Sequence, residues 1–278
     1  MRFILRWKNR PAGVCVNPRQ LRLGDLISRA TRSSHYRDKE LHFPPISSWE
    51  DVPRHLEGMP KTALADFLAN PGDFYSWNHS PRPLGPLECP VGNIGRIAVL
   101  GTGFELSAGV DSFPYPTSDE LEDFEPDSIA GPAASLRQLA EAALDGRLRL
   151  GSLRRAILAF TGLKHGCLKQ SDRDLLWRAF RTPVFEQFRG FSQELLAWEC
   201  EAHDGLHVEE ENAIFETPRG GGEILLTSLD CTEYSILRIG TGMTARLLTA
   251  TCGCGDSSPR LVGLRSYASR RRDAVSAS

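Results

Sequence analysis

The chain has 278 residues, 41% of them hydrophobic and 24% charged, with a formal net charge of −2. That is the composition of an ordinary globular protein with enough apolar material for a sizeable core, built as one large domain or two small ones. It gives no overall basic field, so neither nucleic acid nor an anionic membrane surface is expected as a partner.

At the N-terminus, Arg2, Arg6 and Lys8 interrupt the apolar run before it reaches signal-peptide length. No later segment is apolar for long enough to span a bilayer, and the expected location is the cytoplasm. Residues 1–90, rich in Arg, Pro and Ser, read as a helical, irregular segment broken at Pro44-Pro45 and Pro71-Gly72, with one helix over Lys61 to Leu68. Pro81, Pro83, Pro86 and Pro90 then impose an extended connection.

An α/β core is expected over 91–200. Ile97 to Leu100 is a short apolar strand running into Gly101-Thr102-Gly103. A helix follows Pro132, with Leu136, Leu139, Ala140, Ala143 and Leu144 on one face and Gly146 as its stop. Ala156 to Phe160 is the next strand, and Ser171 with Asp174 predicts a capping box opening a helix through Leu175, Leu176, Ala179 and Phe180. Pro183 to Phe185 is again a strand. This alternation predicts a helix-covered, mainly parallel sheet.

Residues 201–265 read differently, with short strands at Ala213–Glu216, Glu223–Ser228, Tyr234–Arg238 and Ala245–Leu248, so a smaller antiparallel β subdomain is expected. The remainder, 266–278, containing Arg270-Arg271-Arg272, reads as a frayed, disordered tail.

Seven cysteines, an odd number without a secretion signal, argue against a disulfide framework. Cys200-x-x-His203 and Cys252-x-Cys254 instead offer three sulfurs and an imidazole, a set suited to tetrahedral zinc, with His207 as the alternative nitrogen. Gly253 and Gly255 would let the backbone turn both thiols toward one point. Four protein donors leave no open position, so the role would be structural; the alternative is ordinary reduced cysteines. Elsewhere, Gly101-Thr102-Gly103 lacks a full dinucleotide-binding pattern and reads as a tight turn. The stretch Gly190 to Glu194 lacks the last glycine of a hydrolase nucleophile elbow. His165 could line a cleft or the surface, and Trp198 and Phe191 an acyl pocket or the core.

Glu199-Cys200-Glu201-Ala202-His203-Asp204-Gly205-Leu206-His207, then Gly222 to Leu229, Ile236 to Gly242 and Cys252-Gly253-Cys254-Gly255, in that order, resemble the phenylacetate–coenzyme A ligase-like branch of the adenylate-forming enzymes. The resemblance covers roughly residues 120–265. It implies the fold of a truncated N-terminal region of such a ligase, formation of an acyl-AMP from an acyl or aryl acid with ATP and Mg²⁺, and thioester formation with coenzyme A. It also places remnants of a nucleotide site at Gly101, Gly103, Thr161, Arg189, Gly190, Phe191, Ser192, Gln193 and Met243.

At those positions the chain departs from the family pattern. No Ser/Thr/Gly-rich phosphate loop is visible, and the region between Trp77 and Phe113 is too short to carry one. Where the family has Tyr-Gly-x-Ser/Thr-Glu, this chain has Arg189-Gly190-Phe191-Ser192-Gln193, which replaces the magnesium carboxylate with a neutral amide. Met243 stands where an aspartate would hold the ribose. The chain also ends where a mobile domain with a catalytic lysine would begin. The reading favoured is a degenerate, non-catalytic member keeping the fold and a zinc ion, binding a small acyl compound, coenzyme A or a protein; the alternative is a divergent acyl-activating ligase that works with a partner chain.

Overall fold

A computed structural model describes residues 17–39, 41, 48–76, 87–91, 95–101, 111–113, 119–218 and 222–267. Thr102 and Gly103, the Asn78-His79-Ser80 glycosylation triplet, Pro44-Pro45, Pro81, Pro83, Pro86 and Arg270 to Arg272 lie outside the described residues.

In chain order the helices are α1 (Pro18–Ala30), α2 (Ser34–Arg37), α3 (Val52–Glu57), α4 (Leu64–Ala69), α5 (Asp119–Phe124), α6 (Ala133–Leu144) and α7 (Gln170–Phe180). The strands are β1 (Ile97–Leu100), β2 (Asp111–Phe113), β3 (Ser128–Pro132), β4 (Ala156–Gly162), β5 (Val184–Arg189), β6 (Leu195–Glu199), β7 (Leu206–Val208), β8 (Ala213–Glu216), β9 (Leu225–Ser228), β10 (Ile239–Gly240), β11 (Met243–Leu248) and β12 (Arg260–Ser266). Among the described residues they form a nine-stranded sheet in the order β11-β12-β7-β6-β5-β4-β3-β1-β2 and a three-stranded sheet in the order β10-β9-β8.

The large sheet changes character at β5. From β2 to β5 every pairing is parallel, whereas β5–β6, β6–β7, β7–β12 and β12–β11 are antiparallel. The sequence of β4 explains why it is central: all seven residues are buried, as a strand covered on both faces requires. Alternation divides its side chains. Ile157 and Ala159 join the cluster made by α6 and α7 with Leu136, Leu139 and Leu176, while Ala156, Leu158 and Phe160 face the other side with Val99 and Phe185. The expected mixed architecture, a helix-covered sheet plus a small antiparallel one, is the one observed.

The strands of 201–265 are shared between both sheets: β7, β11 and β12 extend the large sheet, and only β8 to β10 form the small one. A third apolar cluster ties the N-terminal helices to that small sheet, with Leu23, Leu26, Tyr36, Phe67 and Phe74 packed among Phe191, Phe215, Ile224 and Ile236.

Several local expectations shift. The helix expected from Lys61 starts at Leu64, because Thr62 is captured as a strand-like bridge to Ile239: its N–H donates to Arg238 O (3.0 Å) and its carbonyl accepts from Gly240 N (2.8 Å). The strand expected over Tyr234–Arg238 does not form; the strand lies just beyond it, at Ile239–Gly240, and Tyr234 makes only an isolated bridge to Tyr75. Ser171 does not cap α7, which begins at Gln170 with no side-chain cap at Lys169. Arg265 and Ser266 still pair with Thr244 and Met243, so β12 reaches into the expected tail.

Candidate functional site

Strands β4 and β5 end side by side, with Gly162 in register with Arg189. Gly162 has φ 111°, and a Cβ there would collide with the Arg189 backbone, so only glycine allows this approach. Thr161 precedes it and is fully buried, and at β1, two strands away from β4, Gly101 donates its N–H to Phe113 O (2.9 Å). Thr161 and Arg189 to Gln193 therefore lie at the carboxyl ends of β4 and β5, where α/β proteins place ligands, whereas Met243 starts β11 at the far edge of the sheet.

Those residues are engaged with one another. Arg189 is fully buried; its guanidinium donates to Gln193 O (2.9 Å) and Gln187 Oε1 (2.5 Å) and lies 4.7 Å over the Phe160 ring. Burial pulls it down to about 9, with Glu194 and Glu88 opposing, so it stays cationic at neutral pH. Gly190 donates to Glu194 O (3.0 Å), and a side chain at 190 would run into the Glu194 carboxylate. Glu194 is itself turned inward: Oε2 accepts from Ser192 N (2.9 Å) and Oε1 from the Ser228 hydroxyl (2.9 Å), while burial raises its pKa. Phe191 is 1% exposed and stacks on Phe67 with centroids 3.8 Å apart. The Ser192 hydroxyl donates to Glu233 Oε2 (3.2 Å), and among the described residues it has no histidine partner that would make it a nucleophile elbow.

Gln193 sits at φ 64°, and its Oε1 and His165 Nε2 are buried without closing a hydrogen bond. Burial lowers the His165 pKa; the Gln193 side chain nearby opposes the shift. Met243 is buried at the start of β11 and donates its N–H to Thr241 Oγ1 (3.2 Å). Arg238, in the preceding segment, is committed to Glu216 through Nε (2.9 Å) and Nη2 (2.8 Å).

At the other end of β6 a second group of predicted residues converges. Cys200, His207, Cys252 and Cys254 each place a ligand atom within 4.8 Å of the others. Cys200 Sγ is 3.6 Å from Cys252 Sγ, and Cys254 Sγ is 3.4 Å from His207 Nε2. His207 Nδ1 is held by Ser258 Oγ (2.9 Å), which leaves Nε2 directed at the sulfurs, and burial lowers its pKa. Burial pushes the Cys200 thiol up to about 12. At Cys252 burial acts in the same sense, but the Cys254 N–H, both neighbouring thiols and Arg260 outweigh it and draw the thiol down. Gly255, at φ 92°, closes the turn by donating to Cys252 O (2.9 Å); Gly253 needs no such freedom.

The nitrogen donor is His207, and His203 is not among the four. The 200–205 turn throws His203 back along the strand, where Nδ1 meets Glu199 Oε1 (3.1 Å) and the ring stacks on Phe185 at 5.0 Å. Gly205, at φ 93° and 2.7 Å from Leu261 O at its would-be Cβ, then reverses the chain so that β7 pairs His207 with both Trp198 and Arg260. Trp198 bonds Glu209 Oε1 (2.7 Å), which fixes it in the β6–β7 hairpin; it lines no acyl pocket beside Phe191. From the sequence, Glu194 could stand in for the missing carboxylate only if the backbone slipped by one residue; in the structure Ser228 and the Ser192 N–H hold it inward.

No family model matches the chain, and no curated protein matches it. Among solved structures it is similar to 2-hydroxyisobutyryl-CoA ligase: the open conformation in complex with 2-HIB-AMP and CoA, at 17% identity and TM-score 0.64 over 90% of this chain and 69% of that one. The same ligase in its thioesterification state gives 19% identity and TM-score 0.64 over 90% and 67%. In its postadenylation state with 2-HIB-AMP it gives 18% and 0.63 over 88% and 66%. At these identities the likeness establishes a shared acyl-CoA ligase fold, of which this chain spans about two thirds. Among the described residues no helix is long and apolar enough to cross a membrane.

Proposed function

We propose that this chain is a non-catalytic member of the adenylate-forming superfamily, from its phenylacetate–CoA ligase-like branch, that serves in the cytoplasm as a binding scaffold held together by one structural zinc ion. The observation that carries this reading is the self-filled loop 189–194. Its one strong carboxylate, Glu194, is spent on Ser192 and Ser228, its cation on Gln187 and Gln193, and its aromatic ring on Phe67. Binding a triphosphate needs preorganised donors and a metal carboxylate aimed outward, and such electrostatic groups are usually the largest contribution to catalysis. Here Gln193 and Met243 supply neither.

Zinc is favoured by donor chemistry and by distance. Two thiolates on a tetrahedral zinc stand about 3.8 Å apart, and a thiolate and an imidazole nitrogen about 3.6 Å; the corresponding separations are 3.6 Å and 3.4 Å. Cys200, His207, Cys252 and Cys254 would hold the ion, tying the β11–β12 turn to the end of β6 with no position left for a substrate.

The reading predicts no magnesium-dependent ATP binding at micromolar concentration by calorimetry, and no pyrophosphate release with a panel of aryl and fatty acids. Saturable Mg·ATP binding in that range would overturn it. The second reading, a divergent ligase completed by a partner chain, draws on the ligase fold retained over 90% of the chain; pyrophosphate release that depends on an added partner would select it.

A further inference from the structure

A cleft of ≈ 710 Å³ opens far from the 189–194 loop, between α7 and the uncovered ends of β6, β7 and β12. It lies where β5 begins, five residues and about 16 Å of strand from Arg189. Its volume is in the range of small-ligand sites. One face of α7 supplies Arg173, Asp174 and Trp177, and the sheet supplies Glu186, Glu199 and Leu264.

The charges of this cleft are unbalanced. Three carboxylates, Asp174, Glu186 and Glu199, line it with one guanidinium, Arg173, and the His203 imidazole; Arg173 pairs with Glu186 and Glu199, and Asp174 Oδ1 accepts from Gln170 Nε2 (2.9 Å). Arg173 is already occupied, with Nη1 donating to Val184 O (2.9 Å) and Nη2 to Glu199 Oε2 (2.7 Å) and, more weakly, to Glu186 Oε2 (3.4 Å). Glu199 also receives the Glu186 N–H (2.8 Å) and faces His203 through Oε1 (3.1 Å). Glu186, by contrast, is 7% exposed and its Oε1 has no partner within hydrogen-bond geometry; the Thr161 hydroxyl and the Leu168 N–H lie close enough to favour its charged form. A buried carboxyl oxygen left in that state is costly, and the cost is recovered when a donor arrives. Burial raises the Glu186 pKa, with Thr161 and Arg173 opposing, and its carboxyl accepts a hydrogen bond in either protonation state.

An anion entering this cleft would meet three carboxylates and no spare cation. An N–H-rich cation would meet Glu186 and Asp174, and its apolar stem would lie along Leu264 and the half-exposed Trp177, one face of whose ring already carries the Arg181 guanidinium 6.0 Å from its centroid. We infer that the α7 cleft binds a primary ammonium group carried on an apolar stem, with Glu186 and Asp174 as its acceptors. The group is either that of a small organic amine or that of a lysine side chain. This site does not depend on the proposed function, since it shares no residue with the 189–194 loop or with the four metal donors.

The test is calorimetric titration of the full chain with phenethylamine, with Nα-acetyl-lysine methyl ester, and with 3-phenylpropionate as an anion of similar shape. At least one amine is expected to bind saturably and the anion not to bind. Glu186→Gln is expected to weaken the amine about 10-fold, and Trp177→Ala about 3-fold. Binding of phenethylamine alone identifies a small amine; binding of the lysine ester alone identifies a peptide side chain. Failure of both amines to saturate, equal binding of the anion, or unchanged affinity in both Glu186→Gln and Asp174→Asn overturns the inference. Asp174→Asn, on the helix surface, carries the test if Glu186→Gln does not fold.

Discussion

The two ends of strand β6 each gather polar side chains and use them in opposite ways. Before it, the loop Arg189 to Glu194 gathers a guanidinium, a carboxylate and an aromatic ring, and each is consumed by a neighbour inside the chain. After it, Cys200 meets His207, Cys252 and Cys254, and the four ligand atoms aim at a common point rather than at four separate partners. Closed polar networks stiffen a fold, whereas convergent donors prepare a site. The contrast teaches that residue inventory alone does not mark a functional centre; the direction of the lone pairs does.

The largest effect should come from breaking the convergent end. Purified protein is expected to contain one zinc per chain by elemental analysis, and Cys252→Ser should lose it with a stability loss on the order of 5 kcal/mol in chemical denaturation. His207→Ala should behave in the same way while His203→Ala keeps its zinc; the reverse pattern would move the nitrogen donor back to His203. At the closed end, Arg189→Ala leaves the Gln187 Oε1 and the Gln193 carbonyl without their donor beside a cavity and is expected to cost about 3 kcal/mol. A change near zero there would mean that the loop is not closed by Arg189, and the contrast between the two ends would fail.

The smallest effect concerns pH. Glu194 has a folded pKa raised by burial above its ordinary value of 4.5, so its folded form holds a proton that the unfolded chain has already lost. Stability from this group is therefore full below pH 4.5 and declines as pH rises through the folded value, by at most about 1.4 kcal/mol per pH unit. Glu194→Gln should flatten part of that decline in denaturation midpoints measured across the range. Glu186 and Glu209, raised in the same sense by burial, contribute to the remainder. An unchanged slope in Glu194→Gln would show that the carboxylate is hydrated and the loop open.

Much of the frame was readable before any coordinates. Ile97–Leu100 and Ala213–Glu216 are strands as expected, and the helix after Pro132 ends before Gly146, whose φ of 73° is the left-handed stop the glycine suggested. Strands β2, β3, β6, β7 and β12 were not foreseen. Ser128–Pro132 has no alternation and contains a glycine, and Leu206–Val208 is three residues long, too short for a period to register. The capping box at Ser171 failed because an ST-x-x-acid spacing inside a first turn is indistinguishable from one at its boundary.

What the sequence determined by itself was chemical and local: which segments could bury both faces, that three thiols and an imidazole were available, and that a neutral amide and a thioether stand where the resemblance would place two carboxylates. Tertiary structure decided the rest. The strand register of β6 against β7 and of β7 against β12 chose His207 over His203, and partners distant in the chain, Phe67 on Phe191 and Ser228 on Glu194, turned the 189–194 loop inward. The physical reason is that burial and hydrogen-bond direction depend on atoms brought together only when the chain folds, whereas apolar periodicity and ligand type are carried by each segment alone.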